Sequence, residues 1–195
     1  MNSLDTEVLQ VALEWLREGH TVHLATVVQT WGSAPRQAGA MLAVRKDGRV
    51  VGSVSGGCIE DDLIARAQAG ELPSKPEWAR YGVSQEEAAR FGLPCGGTLR
   101  LVIEPLVLED WIARVVEVTQ ASQLIGRWLD LTTGVSTLTD ARPGQLTEVK
   151  EEGCHFVYGP HWRLLIIGAN QTAQALAQIA TMLEFQVIVC DPREE

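Results

Sequence analysis

The chain has 195 residues, 46% of them hydrophobic, which is enough for a buried core in one or two domains. Its 25 acidic and 16 basic residues give a net charge of -9 and are spread along the chain, which argues against the clustered basic stripe of a nucleic-acid-binding surface. No run approaches the roughly 20 apolar residues of a membrane helix, and the first residues lack a signal-peptide pattern. We therefore expect a soluble, cytoplasmic protein with no nucleic-acid or membrane partner.

The first elements in chain order are a helix, a strand, a hairpin and a second helix. Residues 4–18 carry apolar side chains at helical spacing. Residues 21–31 are rich in β-branched and apolar types and predict a buried strand. Residues 40–54 predict a hairpin around an Asp-Gly turn, and residues 59–70 predict a helix with acidic residues in its first turn.

The middle of the chain alternates loops with further elements. The polar, proline-bearing residues 71–77 predict a loop, and residues 84–92 predict a short helix with capping-box spacing. Residues 93–106 predict a glycine turn that leads into a strand. Residues 109–122 predict a helix, and residues 124–140 predict a pair of strands.

A new pattern begins after residue 160. An apolar strand, a turn at Gly168, a helix through about residue 183 and a second strand ending at Asp191 form a βαβ unit. We therefore expect an α/β fold: a mixed α+β N-terminal domain over residues 1–160, then the start of a Rossmann-like domain over residues 161–195. Because an incomplete βαβ unit leaves both sheet edges unpaired, we also predict a homodimer.

The turn of this βαβ unit carries part of a dinucleotide-binding fingerprint. The pattern G-x-G-x-x-G keeps only its first glycine, Gly168, and has Asn170 and Ala173 at the other two positions. Asp191 matches the acidic residue that binds a ribose hydroxyl in such folds. One interpretation is a bound nucleotide such as NAD(P), and the other is a scaffold without a ligand.

Two cysteines, Cys58 and Cys95, each stand beside a pair of glycines. Cys58 lies at the expected start of a helix, where the helix dipole lowers a thiol pKa, although nearby carboxylates oppose this effect. A thiolate is a nucleophile and a soft-metal ligand, so both cysteines are candidate catalytic and metal-ligating residues. The alternative for each is a buried, inert thiol. The neighbouring glycines, whose amides can turn toward an anion, are Gly56, Gly57, Gly96 and Gly97.

The segment between the first two predicted strands contains a candidate phosphate ligand. The guanidinium of Arg36 can fork onto a phosphate, with Ser33 and backbone amides assisting. The alternative is a surface arginine in an ordinary loop.

Three segments carry a resemblance to a known family. In chain order they read TWGSAPRQAGAMLAV, GRVVGSVSGGCIEDD and GLPCGGTLRLVIEPL, and a strand-Gly-helix-strand unit ending in DPR follows. Together they resemble the XdhC/CoxI family, the accessory proteins of xanthine dehydrogenase and related molybdenum hydroxylases. The likeness covers nearly the whole chain.

The resemblance implies a chaperone or maturation factor more than a catalyst. Such a protein binds the molybdenum cofactor (molybdopterin), protects it, assists its sulfuration and inserts it into an apo molybdenum hydroxylase of the xanthine dehydrogenase type, with a cysteine desulfurase as a further partner. The resemblance does not assign individual roles to the matching residues. Beside the two cysteines Cys58 and Cys95, the candidate cofactor-binding residues are Ser33, Pro35, Arg36, Gly56, Gly57, Glu60, Gly96 and Gly97.

Two rival functions stay open at this point. The first is an NAD(P)-dependent oxidoreductase built on the βαβ unit, although the turn at Gly168 departs from the family's usual Gly-x-Gly-His. The second is a docking module that contacts only the apo-hydroxylase and binds no ligand.

Overall fold

The structure is a computed structural model of the chain. It describes residues 4–31, 36–82, 98–107, 109–159, 162–183 and 185–193. These residues form four helices and eleven strands, and the strands are arranged in three sheets. The mixed α/β class predicted from the sequence is confirmed.

The first sheet is antiparallel and has five strands in the order β3-β2-β1-β5-β4. Helix α1 precedes it, and helix α2 follows the β2–β3 hairpin as predicted. Strand β4 follows the predicted loop at residues 71–77 and was not predicted from the sequence. The bounds are α1 Leu4–Arg17, β1 Val22–Trp31, β2 Met41–Arg45, β3 Val50–Gly52, α2 Cys58–Ala69, β4 Glu77–Tyr81 and β5 Thr98–Pro105.

The second sheet is also antiparallel and has four strands in the order β7-β6-β9-β8. Helix α3 leads into it, and β6 and β7 are the predicted pair of strands. Residues 140–161 carried no strand prediction, yet they contribute β8 and β9. The bounds are α3 Asp110–Gln120, β6 Ile125–Asp130, β7 Ser136–Thr139, β8 Glu148–Val149 and β9 Gly153–Tyr158.

The five-stranded sheet is buried on both faces because alternate residues of its strands enter two separate cores. The larger core joins this sheet through Leu24 and Val102 to α1, α3 and the four-stranded sheet. The smaller core lies on the opposite face, where Ile59 and Leu63 of α2 pack against alternate residues of β1, β2 and β5. Burial on both faces explains why β1 and β2 are nearly continuous apolar runs.

An ion pair between Glu104 of β5 and Arg127 of β6 links the two sheets inside the larger core. The Arg127 side chain is 0% exposed and that of Glu104 is 4% exposed. Ser136 and Tyr158 accept further hydrogen bonds from the guanidinium, which stacks 3.6 Å from the Trp111 ring. Burial by itself would lower the pKa of Arg127, but its interactions with Glu104 and Tyr158 raise the pKa by more than burial lowers it. The guanidinium therefore stays charged.

The third sheet is the predicted βαβ unit, in which two parallel strands flank one helix. The unit exposes many apolar side chains, of which Ile167 is the most open at 78%. The bounds are β10 Trp162–Ile167, α4 Gln171–Met182 and β11 Phe185–Cys190.

Three further expectations have different outcomes. The predicted helix at residues 84–92 lies outside the described residues. The domain boundary near residue 160 stays a prediction. Among the helices that the structure describes, none is long and apolar enough to cross a membrane.

Candidate functional site

Three connections leave the five-stranded sheet from a single edge. The strand pairs Thr26–Met41, Leu42–Gly52, Trp31–Thr98 and Tyr81–Leu99 fix this geometry. At this edge β1, β3 and β4 end, while β2 and β5 begin. Residues 32–40 connect β1 to β2, residues 53–57 lead from β3 into α2, and residues 82–97 connect β4 to β5. The three motifs singled out in the sequence fall on these connections.

The structure describes only part of the predicted site. Ser33, Pro35, Cys95, Gly96 and Gly97 lie outside the described residues. Of Cys58 only the backbone is described, at the first residue of α2. Arg36, Gly56, Gly57 and Glu60 lie at the sheet edge, and Gly168 and Asp191 lie in the βαβ unit.

A pocket of about 350 Å³ lies beside Arg36 at this edge. Its size falls in the range of small-molecule sites. Within the described part of the chain, the buried Nε atom of Arg36 has no hydrogen-bond partner. Its N–H group can therefore donate to a ligand in the pocket. The lining residues are Glu7, Val8, Arg36, Met41, Val51, Gly52 and Ser53.

Two polar residues of this pocket, Glu7 and Ser53, were not predicted as site residues. Glu7 lies in the first turn of α1, and Ser53 stands just before the glycine-cysteine motif. Only the packing of α1 against β2 and β3 brings Glu7 to the motif loops.

Residues 53–57, here called the SGG loop, fold around the carboxylate of Glu60. Gly56 has a φ of +88°, a left-handed conformation that glycine adopts without strain. The Oε1 atom accepts from Ser53 Oγ at 2.8 Å and from three backbone amides, those of Val54 at 2.8 Å, Ser55 at 2.8 Å and Gly56 at 3.0 Å. The Oε2 atom accepts from the Gly57 amide at 2.8 Å and from the Ser55 hydroxyl.

These hydrogen bonds keep Glu60 ionised. Burial by itself would raise the pKa of this carboxyl group, but the donors from Ser55, Ser53 and Gly56 outweigh it and lower the pKa to about 2. The start of α2 therefore carries a fixed negative charge against the positive end of the helix dipole.

Arginine and tryptophan side chains accompany the β1–β5–β4 side of the same edge. The guanidinium of Arg100 lies 3.7 Å from the Trp78 ring centroid and donates to Gln29 Oε1 at 3.2 Å. Arg80 lies 5.8 Å from the ring centroid of Trp31.

The turn of the βαβ unit uses its own side chains as hydrogen-bond acceptors. Gly168 has a φ of +102°, and the next amide, that of Ala169, donates to Asp191 at 2.7 Å. Asn170 caps α4 by accepting from the Ala173 amide at 2.8 Å. Hydrogen bonds from the side chain and backbone of Arg193 hold the pKa of Asp191 well below its usual range.

The two remaining cysteines differ in accessibility. Cys154 is buried in the larger core, and burial raises the pKa of its thiol to about 12. Cys190 is exposed at the end of β11. Within the described ranges no cluster of three or more His, Cys, Asp or Glu side chains is placed to hold a metal ion.

Comparison with known proteins finds a family match over part of the chain. Residues 15–82 match the model of the XdhC and CoxI family, a range that holds Arg36, the SGG loop and Glu60. This match confirms the family resemblance that the sequence motifs carry.

The relatives and the solved structure that it resembles are longer proteins. The chain is 31% identical over 188 residues to the molybdenum cofactor insertion chaperone PaoD of Escherichia coli, covering 94% of this chain and 57% of that protein. It is 28% identical over 199 residues to a probable xanthine dehydrogenase subunit of Bacillus subtilis, covering 87% of this chain and 59% of that protein. A crystal structure described as a xanthine dehydrogenase from Bacillus halodurans superposes with a TM-score of 0.67 at 26% identity, over 99% of this chain and 63% of the other. The chain thus spans about three fifths of each.

Proposed function

We propose that this protein is a molybdenum cofactor chaperone whose cargo binds at the edge of the five-stranded sheet. The observation that carries the proposal is the strand order, because it brings the ends of all three motif connections to one edge. The similarity to a molybdenum cofactor insertion chaperone supports the same cargo.

The chemistry of this edge suits both ends of the cofactor. The molybdenum and its dithiolene are soft, so thiolates at Cys58 and Cys95 are suitable ligands or sulfur carriers. The phosphate suits Arg36, whose buried Nε donor has no partner among the described residues. The carboxylate of Glu7 in the same pocket can accept hydrogen bonds from the N–H groups of a pterin.

The chaperone protects the cofactor, assists its sulfuration and inserts it into an apo-hydroxylase of the xanthine dehydrogenase type in the cytoplasm. Of the relatives, one is named as an insertion chaperone and another as a xanthine dehydrogenase subunit, which supports a hydroxylase client. A cysteine desulfurase is the proposed sulfur donor.

The test is an anaerobic titration of the purified protein with molybdenum cofactor, read as co-elution of molybdenum and pterin. We expect Cys58→Ala or Cys95→Ala to weaken retention by about tenfold or more, and Arg36→Met to weaken it as well. The matched controls are Cys190→Ala, an exposed cysteine in the βαβ unit, and Arg49→Met, an exposed arginine beyond β2. Wild-type retention by the double Cys58→Ala, Cys95→Ala variant would refute the proposal.

The NAD(P)-dependent alternative finds less support in the geometry. In a dinucleotide site the backbone amides of this turn face the ligand. Here the amide of Ala169 donates to Asp191 and the amide of Ala173 donates to Asn170, so both are already engaged within the chain. We therefore treat the βαβ unit as a scaffold. Binding of NAD or NADP at micromolar concentration in equilibrium dialysis would reverse this choice.

A homodimer is also part of the proposal. Exposed apolar side chains on the βαβ unit support it, among them Leu165, Ile167, Ile179 and Met182. Sedimentation velocity of the wild type and of Ile179→Asp tests it. A wild-type protein that sediments as a monomer at all concentrations would refute the dimer.

A further inference from the structure

The SGG loop has the geometry of an anion-binding nest, and the anion is part of the chain. Successive backbone amides that converge on one point form such nests, which commonly bind phosphate. Here four consecutive amides, from Val54 to Gly57, converge on the carboxylate of Glu60. Two hydroxyl groups, from Ser53 and Ser55, complete a set of six donors.

This arrangement changes the role of the glycines in the motif. The sequence motif predicts that the amides of Gly56 and Gly57 turn toward an external anion, and it places Glu60 among the candidate cofactor-binding residues. In the structure these amides donate to Glu60, and both carboxylate oxygens are engaged within the loop. A phosphate at this position would have to displace a buried carboxylate from all its donors.

The loop joins two parts of the candidate site. Its first residue, Ser53, lines the pocket beside Arg36, and its hydroxyl both donates to Glu60 and accepts from the Gly56 amide at 3.0 Å. Its last residue, Gly57, is the N-cap of α2, which begins at Cys58. A single carboxylate therefore sets the pocket wall and the start of the cysteine-bearing helix relative to each other.

We infer that Glu60 is a positioning residue, an internal anion that shapes the SGG loop for the cargo and does not itself contact the cargo. The loop-shaping role stands on the hydrogen bonds alone. Its consequence for the cargo rests on the proposed function.

The first experiment follows amide hydrogen exchange of residues 54–57 by NMR in the wild type, Glu60→Ala and Asp61→Asn. Asp61 is the matched control because it is an exposed acidic residue in the same helical turn as Glu60. We expect protection of these amides to fall roughly a hundredfold in Glu60→Ala and to stay unchanged in Asp61→Asn. The amides of β9, in the other sheet, report whether each variant is folded.

Chemical rescue tests whether the SGG loop needs an anion at the position of the Glu60 carboxylate, or only a side chain that fills the space. Formate is a small carboxylate that fits the space left in Glu60→Ala, and we expect it to restore protection of the loop amides by about tenfold at high concentration. Chloride at equal ionic strength is the control. Should Glu60→Ala fail to fold, Glu60→Gln keeps the shape of the side chain and is expected to lose protection without rescue, because its amide group leaves no room for formate.

Cargo retention is measured on the same samples. Loss of retention in Glu60→Ala with recovery in formate supports the inference. Unchanged exchange of residues 54–57 in the variant overturns it, as does wild-type retention by a variant whose loop exchanges freely. If the wild type itself retains no cofactor, the proposed function fails, and the exchange and formate results alone decide whether Glu60 shapes the loop.

Discussion

Replacing Arg127 by methionine tests how the two antiparallel sheets are held together. The guanidinium has five N–H hydrogens, and Glu104, Ser136 and Tyr158 supply acceptors for all of them. Methionine keeps the apolar contact with the Trp111 ring but leaves the Glu104 carboxylate buried without its counter-charge.

The expected cost follows from that leftover charge. Removing one partner of a buried pair destabilises proteins by about 3–5 kcal/mol, because the remaining ion cannot recover its hydration. The free energy of unfolding of a domain is typically about 5–15 kcal/mol, so Arg127→Met should remove roughly a fifth of it or more. A double variant, Arg127→Met with Glu104→Leu, should recover most of the loss because no charge stays buried.

The assay is urea unfolding followed by tryptophan fluorescence, with the free energy of unfolding taken by linear extrapolation. The control is Arg114→Met, which breaks an exposed pair with Glu117 at 2.7 Å and should cost less than about 1 kcal/mol. A loss under about 1 kcal/mol in Arg127→Met would refute the reasoning. So would a double variant in which the losses simply add, because the two side chains would then be uncoupled.

Three further predictions concern Glu60, two cysteines and two glycines. Since hydrogen bonds lower the pKa of Glu60 from 4.5 to about 2, its carboxylate stabilises the fold above about pH 4.5, by roughly 1–2 kcal/mol after allowance for solvent screening. This stability is lost as the pH falls toward 2. Urea unfolding at about pH 7 and about pH 2.5 should therefore show a flatter pH dependence for Glu60→Gln, and identical slopes would contradict the assignment. Iodoacetamide should label Cys190 in the folded protein and label Cys154 only after denaturation, as read by peptide mass spectrometry, and equal labelling rates would show that the larger core is open. Gly52→Ala should lower the free energy of unfolding by about 2 kcal/mol or more, because a Cβ at its φ of +88° collides with the Met41 carbonyl oxygen. Gly39 is also left-handed but has open space around it, so Gly39→Ala should cost about 1 kcal/mol. Equal costs for the two substitutions would argue against the collision.

Much of the local structure could be predicted because it depends on neighbours in sequence. The apolar spacing in residues 4–18 is sufficient for an amphipathic helix, and the Asp47-Gly48 pair is sufficient for the hairpin turn. The three motifs also carried the family resemblance, and the family match over residues 15–82 confirms it. Strand β4 was missed because it follows Pro76 directly and its five residues, EWARY, do not alternate regularly between polar and apolar types.

The arrangement of the site depends on contacts between distant residues, which no local pattern contains. Strand β1 pairs with β5 across more than 60 residues of sequence, and this pairing sets the end of β1, which precedes the Arg36 motif, beside the start of β5, which follows the Cys95 motif. The partners Glu104 and Arg127 meet only after two sheets pack together.

Glu60 lies between these two cases. Its place three residues after the N-cap Gly57, whose amide donates to its carboxylate, depends only on neighbours in sequence, although glycine has no side chain to complete a capping box. That its carboxylate accepts six hydrogen bonds follows from the path of the chain out of β3, where Gly52 and Gly56 both adopt positive φ values and turn four amides toward one point. The sequence thus determined which residues belong to the motif, while the tertiary structure decided that its anion is supplied from within, because a charge in a partly buried loop needs its donors arranged in three dimensions.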